Sequence, residues 1–568
     1  MIASLSVVTL SAAAFAFTHQ RLLSYLRYFQ QEEYNEARFS TWLREKNAMD
    51  SRGATVALLT GLCAAISSFL LTCSLWSLLI ALAGAGALVF VAFVLEGDPR
   101  STGKLTLKMT ERASKIHLVA TIIAGASLLL FTLLALALSP CAMSCDPTGA
   151  ATSPDVSGPS GWRSLVALAL GITIVFRYTP KFLVWANAIL SPAEKRLQAF
   201  FVQDAQRILH NVSPFTIAIT GSYGKTGAKS ALGELLPQVL GPTFWPKKSI
   251  NTVMGITRDI RENLKAHHQF AVIEMGAYGV GSIKKLCALT PPDAAIVTAV
   301  GIMHLERFGS EENVYRAKSE LPQGVPDTGI LVCNGDNEGA RRMATEYRKA
   351  KTYLYGLEPA NGPLDCWASD IEFNAEGTHC TLHWGEKTFK VGTPLLGRPA
   401  LSNAIGAYTM ACALGASPDY AAACLANLQP VDNRLVLDKK GSVTFIRDAY
   451  NSNPTGFRAA LEILATIKGS RKLLITPGMV ELGDRQALEN KEIAKVAAAV
   501  CDLIIVVSPV NRDAILSGLK EANYPTEKIF VVDTREEGFS VLNKAQTAGD
   551  VVLIENDLGD LLEGEVRF

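Results

Sequence analysis

The stretch Phe215–Ser230 reads FTIAITGSYGKTGAKS, and its reading decides the fold. A short apolar, β-branched run predicts a buried strand. A glycine-bearing loop follows, and then a helix that opens on small and hydroxyl residues. Gly221 and Gly224 let backbone N–H groups approach a phosphate, and the helix N-terminus adds its dipole. Ser222, Tyr223 and Gly227 complete the cradle, Lys225 neutralises the outer phosphates and Thr226 can ligate Mg²⁺. The spacing GxxGKT is shorter than the common GxxxxGK[ST], and a string this short also matches by chance. Its place between a strand and a helix favours nucleotide binding over a simple turn.

Outward from this loop, apolar runs alternate with helical patterns: FAVIEM, AAIVTAV, GILVCN, then VTFIRDA, KLLITPG, DLIIVVS, KIFVVD and DVVLIEN. Such alternation predicts parallel sheets with crossover helices. Between the two series, Cys366–Val391 alternates like hairpin strands turning at Glu376-Gly377 and Gly385-Glu386, which predicts a small antiparallel insert. A boundary is expected near Leu428–Arg434. The chain is thus expected to comprise an α-helical transmembrane region over residues 1–190, a P-loop α/β domain over 191–430 and a Rossmann-like domain over 431–568.

Composition supports this division. The 568 residues carry 54 Lys and Arg against 53 Asp and Glu, a net charge of +1, which leaves no basic footprint for nucleic acid. Mean hydropathy is positive, +0.21, and the excess lies in the first third. Ile2–Leu23, Ala54–Leu95, His117–Leu138 and Trp162–Ile189 are apolar enough to predict about five membrane spans, each needing about 20 residues. Arg21, Arg27, Arg38, Arg44, Lys46 and Arg52 follow the first span, and Arg100, Lys104, Lys108, Arg112 and Lys115 follow the hairpin. Both loops are expected in the cytoplasm, so the α/β part faces the cytoplasm from a multi-pass cell-membrane anchor whose partner is the lipid bilayer. A cleaved signal peptide at Ile2–Leu23 is disfavoured because no early basic region precedes it. Tyr25–Met49 interleaves aromatic and basic residues, as an interfacial helix or an ordinary amphipathic connector would. The eleven cysteines have no metal-site spacing, although Cys141 and Cys145 sit close enough in one loop to pair outside the cytosol.

Other residues suggest chemistry more weakly. Glu274 ends an apolar strand and suits Mg²⁺, though a solvated strand-end carboxylate reads the same way. His304 follows AAIVTAV, where α/β enzymes place ligands. Lys318, in YRAKSEL, is by composition a surface lysine. Asn334 and Asp336 in LVCNGDN can approach a nucleotide or form a turn, and Asn453-Pro454 is an ordinary helix start.

Taken in order, FAVIEMGAYGVGSIKKL, VTAVGIMHLERFGSEENVYRAKSEL, LVCNGDN, GRPALSNAIGAYTMACALG, NRLVL, FIRDAYNSNPTGFRAALEIL and TPGMVELGD, with the short phosphate loop before them, resemble the Mur ligase superfamily over roughly Pro214–Asp484. The resemblance is strongest to the branch that adds D-alanyl-D-alanine to UDP-N-acetylmuramoyl-tripeptide. It implies an ATP-dependent ligase that activates a carboxylate as an acyl phosphate and lets an amine displace phosphate, with two Mg²⁺. It implies His304 and Lys318, the latter carbamoylated, as metal ligands beside Thr226 and Glu274. Asn403 is implied at the nucleotide base, Arg434 at the γ-phosphate, and Asp448, Tyr450, Asn451 and Asn453 at the ribose and substrate. The family's His-Asn pair after Gly-Arg is replaced here by Pro399-Ala400. Membrane segments stand where that branch has its UDP-sugar-binding domain, so the donor is expected to be a UDP-linked or lipid-linked envelope precursor, with D-alanyl-D-alanine or a similar amine as acceptor. A ligase for poly-γ-glutamate or another amino-acid polymer, and a non-catalytic ATP-binding scaffold, are the competing readings.

Overall fold

The computed structural model describes residues 2–45, 75–90, 99–100, 107–138, 161–301, 308–432, 434–449 and 452–556. The chain divides into two units, one comprising the described residues up to Arg196 and the other Leu197–Leu558.

The first unit is helical throughout its regular elements: Ile2–Gln31, Glu36–Glu45, Leu75–Phe90, Glu111–Ala137 and most of Gly161–Val212. Of the described helices, Glu111–Ala137 and the Val166–Val212 portion of the last are long and apolar enough to cross a membrane. The expected spans within Ala54–Leu95 fall largely outside the described residues, as do Cys141 and Cys145. The expected boundary at residues 190/191 lies inside a helix, because Gly161–Val212 continues through Pro180 and Pro192. Glu111–Ala137 buries Ala113, Ala120, Ala124 and Ala135 and leaves Leu118, Ile122, Leu129, Leu130 and Leu133 exposed. Most residues turned to the neighbours are small, with Ile116 and Leu128 buried among them, and a row of large apolar side chains stays exposed. Thr132 adds a hydroxyl bond to Ser11 at 2.8 Å.

The second unit is built on two sheets. The first contains β1 (Phe215–Thr220), β2 (Thr243–Phe244), β3 (Phe270–Glu274), β4 (Ala294–Val297), β5 (Ile330–Asn334), β6 (Lys351–Gly356), β7 (Cys366–Asn374), β8 (Gly377–Trp384) and β9 (Lys387–Thr393). Their spatial order is β2-β3-β1-β4-β5-β6-β7-β8-β9. Pairing is parallel as far as β7 and antiparallel from β7 to β9. The alternating segment is therefore an extension of the parallel sheet, joined to it at Tyr355–Cys366 and Gly356–Trp367, and not a free-standing insert. The order reverses between β1 and β4, and the crevice beyond their carboxyl ends is where open α/β sheets receive ligands. Buried Ile217, Ile219, Val272 and Ile296 on one face, and Ala218, Ile273 and Val297 on the other, explain why these strands read as nearly continuous apolar runs.

The second sheet contains β10 (Val436–Lys440), β11 (Val443–Asp448), β12 (Lys472–Thr476), β13 (Leu503–Val507), β14 (Ile529–Val532) and β15 (Val551–Glu555) in the order β10-β11-β15-β12-β13-β14. Only the β10–β11 pair is antiparallel. The loop after β12 is tied down by three asparagines. Asn490 accepts from the Met479 amide at 2.8 Å and donates to its carbonyl at 2.9 Å. Asn511 donates to Pro477 O and Met479 O at 3.0 and 2.9 Å, and Asn556 donates to Gly478 O at 2.5 Å. Asn490→Ala leaves a buried amide without its acceptor, which costs about 1–3 kcal/mol. It should lower the urea midpoint of this domain and speed hydrogen exchange at Met479; unchanged exchange there would show that Asn511 and Asn556 suffice.

Candidate active site

The phosphate loop lies at the carboxyl end of β1, and its glycines are demanded by what packs on them. A Cβ at Gly221 would stand 2.0 Å from Thr298 Oγ1, and one at Gly227 would stand 2.4 Å from Asn403 Nδ2. Gly224 has φ +83°, a backbone conformation that side chains disfavour, and its Cβ would meet Asn403 Oδ1 at 2.6 Å. Thr298 holds the loop from the other side, donating from one hydroxyl toward Tyr223 O at 2.5 Å and Thr220 O at 3.2 Å. Ser222 exchanges bonds with Gly301, accepting from its amide and donating to its carbonyl at 2.9 Å each.

Behind the loop is a buried carboxylate. Glu274 Oε2 accepts from Thr226 Oγ1 at 3.0 Å and lies 3.2 Å from Lys229 Nζ, while Oε1 accepts from Asn251 Nδ2 at 3.1 Å. Lys229 is fully buried and also donates to the Lys248 carbonyl. Two further lysines converge on one backbone oxygen: Lys225 Nζ and Lys318 Nζ donate to Gly221 O at 2.7 and 2.9 Å. Burial holds Lys318 far below the ordinary lysine range, and the Lys225 charge pushes it further down. Lys225 is itself lowered by its packed surroundings, with Glu274 opposing and Arg434 reinforcing the shift. Lys318 is 4% exposed, so its reading by composition as a surface lysine is corrected: its helix, Glu311–Gly324, packs this face inward with Val314, Tyr315 and Leu321.

In front of the loop a cleft of about 550 Å³ opens, lined by Tyr223, Gly224 and Asn403 on one side and by Arg434, Asp448 and Glu555 on the other. Asn334 and Asn453 also line it, each with a structural task. Asn334 Oδ1 accepts from the Asp336 amide at 3.0 Å, and Asn453 Oδ1 caps the helix Pro454–Thr466 through the Gly456 amide at 3.0 Å. Asp336 is committed to the chain after β6, accepting from the Leu357 and Glu358 amides at 2.6 and 3.1 Å. His304, Tyr450 and Asn451 lie outside the described residues. Thr298, Asn251, Lys229 and Glu555 were not singled out in the sequence; a threonine after a strand or a lysine on a helix carries no motif that marks it.

Residues 219–411 match the Mur ligase middle domain, and residues 433–555 match the Mur ligase glutamate ligase domain. The chain belongs to the Mur ligase family. It is 27% identical over 398 residues to the UDP-N-acetylmuramoyl-tripeptide–D-alanyl-D-alanine ligase of Bacillus subtilis, covering 68% of this chain and 83% of that one. The Mycobacterium tuberculosis enzyme of the same name is 30% identical over 364 residues, covering 60% and 69% of the two chains. Among solved structures, MurF from Acinetobacter baumannii superposes with a TM-score of 0.57 at 27% identity over 63% of this chain and 77% of that one. The MurF ligase of Thermotoga maritima, solved with ADP, gives 0.55 at 27% identity over 63% and 80%. The Mur ligase alignment thus begins at the phosphate loop and ends at Glu555, the residue on the cleft's far wall.

Gly224→Ala tests the loop directly. A side chain in the left-handed region costs about 1–2 kcal/mol before the clash with Asn403 is counted. ATP affinity measured by calorimetry should fall about tenfold or more, and an unchanged affinity would show that the loop relaxes without cost.

Proposed function

We propose that the chain, an ATP-dependent acid–amino-acid ligase, joins a peptide carboxylate of a peptidoglycan precursor to D-alanyl-D-alanine or a similar amine, and does so from a membrane anchor. The observation that carries the chemistry is the bond between Thr226 and buried Glu274 behind a glycine loop that bears Lys225. A hydroxyl and a carboxylate at that distance, with phosphates in front of them, form the all-oxygen set that Mg²⁺ takes. Thr226 and Glu274 would hold the ion, which supplies positive charge to the transferring phosphoryl group. Lys318 would join them once carbamoylated, since a neutral buried amine is the form that takes up carbon dioxide and the product is an anionic oxygen donor. His304 and a second ion complete the reading carried by family resemblance.

The chain's own groups account for the remaining steps. Backbone amides of Gly221–Gly227 cradle the phosphates, and Lys225 places a cation against them. Arg434, on the opposite wall, suits the terminal phosphate through its planar fork. The donor carboxylate attacks that phosphorus to give an acyl phosphate and ADP. The acceptor amine then attacks the acyl carbon, and phosphate leaves. Closure of the second sheet's domain over the cleft would keep water from the acyl phosphate. Asn403 lies close enough to the loop to face the base, with Asp448 and Asn453 toward the ribose.

The helical unit supports the anchor. Its outward leucines and inward alanines make sense in hydrocarbon and would be a large exposed apolar surface in water. We read residues 1–190 as this anchor and the ligase as facing the cytoplasm, where ATP is.

Lys225→Ala should abolish phosphate release by detergent-solubilised protein given ATP, UDP-N-acetylmuramoyl-tripeptide or its lipid-linked counterpart, and D-alanyl-D-alanine. Normal release by the variant would sink the enzymatic reading, and the preferred donor distinguishes UDP-linked from lipid-linked substrate. Lys318→Ala should lose activity that small added carboxylic acids partly restore; activity without additive would remove the carbamate. In cell fractions the protein should stay with membranes after alkaline carbonate extraction, and its release would remove the anchor.

A further inference from the structure

On the far wall of the cleft, Asp448, read above toward the ribose, has a carboxylate neighbour to which nucleotide binding gives no task. β11 and β15 are parallel neighbours in register from Thr444–Val551 to Asp448–Glu555, so two carboxylates end adjacent strands side by side. Glu555 is 1% exposed. Its Oε1 accepts from Ser452 Oγ at 2.5 Å, and its Oε2 is buried without a hydrogen-bond partner among the described residues, although the side chain lines the cleft. A fully buried carboxylate oxygen with nothing to accept from calls for a donor, and the cleft that Glu555 lines is where a substrate would bring one.

Resting on the ligase reading above, we propose that Glu555 receives the ammonium group of the acceptor and takes its first proton, with Asp448, at the end of the adjacent strand, as its positioning residue. An acceptor amine enters at neutral pH as R–NH₃⁺, which has no lone pair for attack. Transfer of one proton to Glu555 Oε2 gives R–NH₂ beside the acyl phosphate. Its nitrogen bonds to the acyl carbon, the carbon–oxygen bond to phosphate breaks, and the second proton leaves with the departing phosphate dianion. The products are the amide, hydrogen phosphate and protonated Glu555, so charge and atoms balance. The groups around Glu555 fit the task. Burial and the Asp448 charge raise its affinity for a proton, and the Ser452 bond opposes them. Asp448 is raised by burial and drawn back by Arg434 and by the Leu435 amide. Asn556 fixes the strand end through the Gly478 carbonyl, and Arg458 and Glu462 line the cleft from the helix Pro454–Thr466.

Hydroxylamine separates this step from activation, because it is largely unprotonated at neutral pH and traps an acyl phosphate without a base. With ATP and UDP-N-acetylmuramoyl-tripeptide, Glu555→Gln should lower amide formation with D-alanyl-D-alanine at least 100-fold in kcat/KM while lowering hydroxamate formation less than tenfold. At saturating ATP, so that any loss of ribose contact is covered, Asp448→Asn should move the acid limb of the amide pH profile to lower pH, because removing its charge makes Glu555 easier to deprotonate. Equal losses of amide and hydroxamate in Glu555→Gln, or an unshifted acid limb in Asp448→Asn, overturn the proposal and leave the ligase reading intact. Wild-type protein that makes hydroxamate from neither the UDP-linked nor the lipid-linked donor overturns both. If Glu555→Gln does not fold, Ser452→Ala decides: freeing Oε1 should raise the acid limb, and an unmoved limb counts against the assignment.

Discussion

A carboxylate sealed in the interior of an α/β sheet is costly unless every lone pair finds a partner, and Glu274 is the point around which the rest of the site is arranged. Thr226 and Lys229 reach it from successive turns of the phosphate-loop helix, and Asn251 reaches it from the loop after β2. Each partner thereby acquires a fixed position. Thr226 is held with its hydroxyl between the carboxylate and the space where phosphates arrive, and Gly276, just past the strand, must stay bare because Asn251 fills the place of its Cβ at 2.9 Å. Lys229 matches the charge before any metal enters. The pair is weak evidence of added stability, but removing one partner would strand the other in a dry site, so the arrangement is rigid for the same reason that it is expensive.

That constraint explains which parts of the site were legible in the sequence. Lys225 and Thr226 stand in a motif whose spacing is set by the loop, and Glu274 ends a recognisable strand, so all three could be read directly. By composition Lys318 reads as a surface residue and only the family resemblance places it at the site, because helical patterning shows that one face is buried, not that the phosphate loop offers that face a carbonyl shared with a second lysine. Lys229 carries no signal for the same reason. Its value comes entirely from Glu274, 45 positions away. Glu555 carried still less signal, since DVVLIEN announces a strand but not that its last side chain stands beside Asp448 across the ladder.

The fold itself was read well where periodicity reports on burial and less well where it does not. Strands buried on both faces appear as apolar runs, and the β7–β9 alternation correctly marked half-exposed antiparallel pairing. What alternation could not show is that β7 pairs with β6 and so makes one sheet of two patterns. The helical unit posed the converse problem. Hydropathy marks an apolar helix whichever way its residues point, and only the structure shows that Glu111–Ala137 buries mainly small residues and leaves Leu118, Ile122, Leu129, Leu130 and Leu133 exposed.

The two sheets meet the cleft in the same sense, and this gives the reaction its division of labour. β1, β3 and β4 deliver the phosphate loop, Glu274 and Thr298 at their carboxyl ends, while β11 and β15 deliver Asp448 and Glu555 at theirs. Parallel strands make such clustering automatic, because every crossover returns the chain to the same edge. One edge is therefore rich in lysines and amides, suited to negative phosphoryl groups, and the facing edge carries paired carboxylates with Arg434 beside them. An acyl phosphate formed against the first wall presents its carbon to the second. An amine that gives up its proton there becomes the nucleophile beside that carbon, and the phosphate side of the cleft takes the leaving group. The identity of the amine then depends on the space around Glu555, whereas the activation of the carboxylate depends on Glu274. A ligase organised in this way can change its acceptor by altering one strand end without disturbing the other.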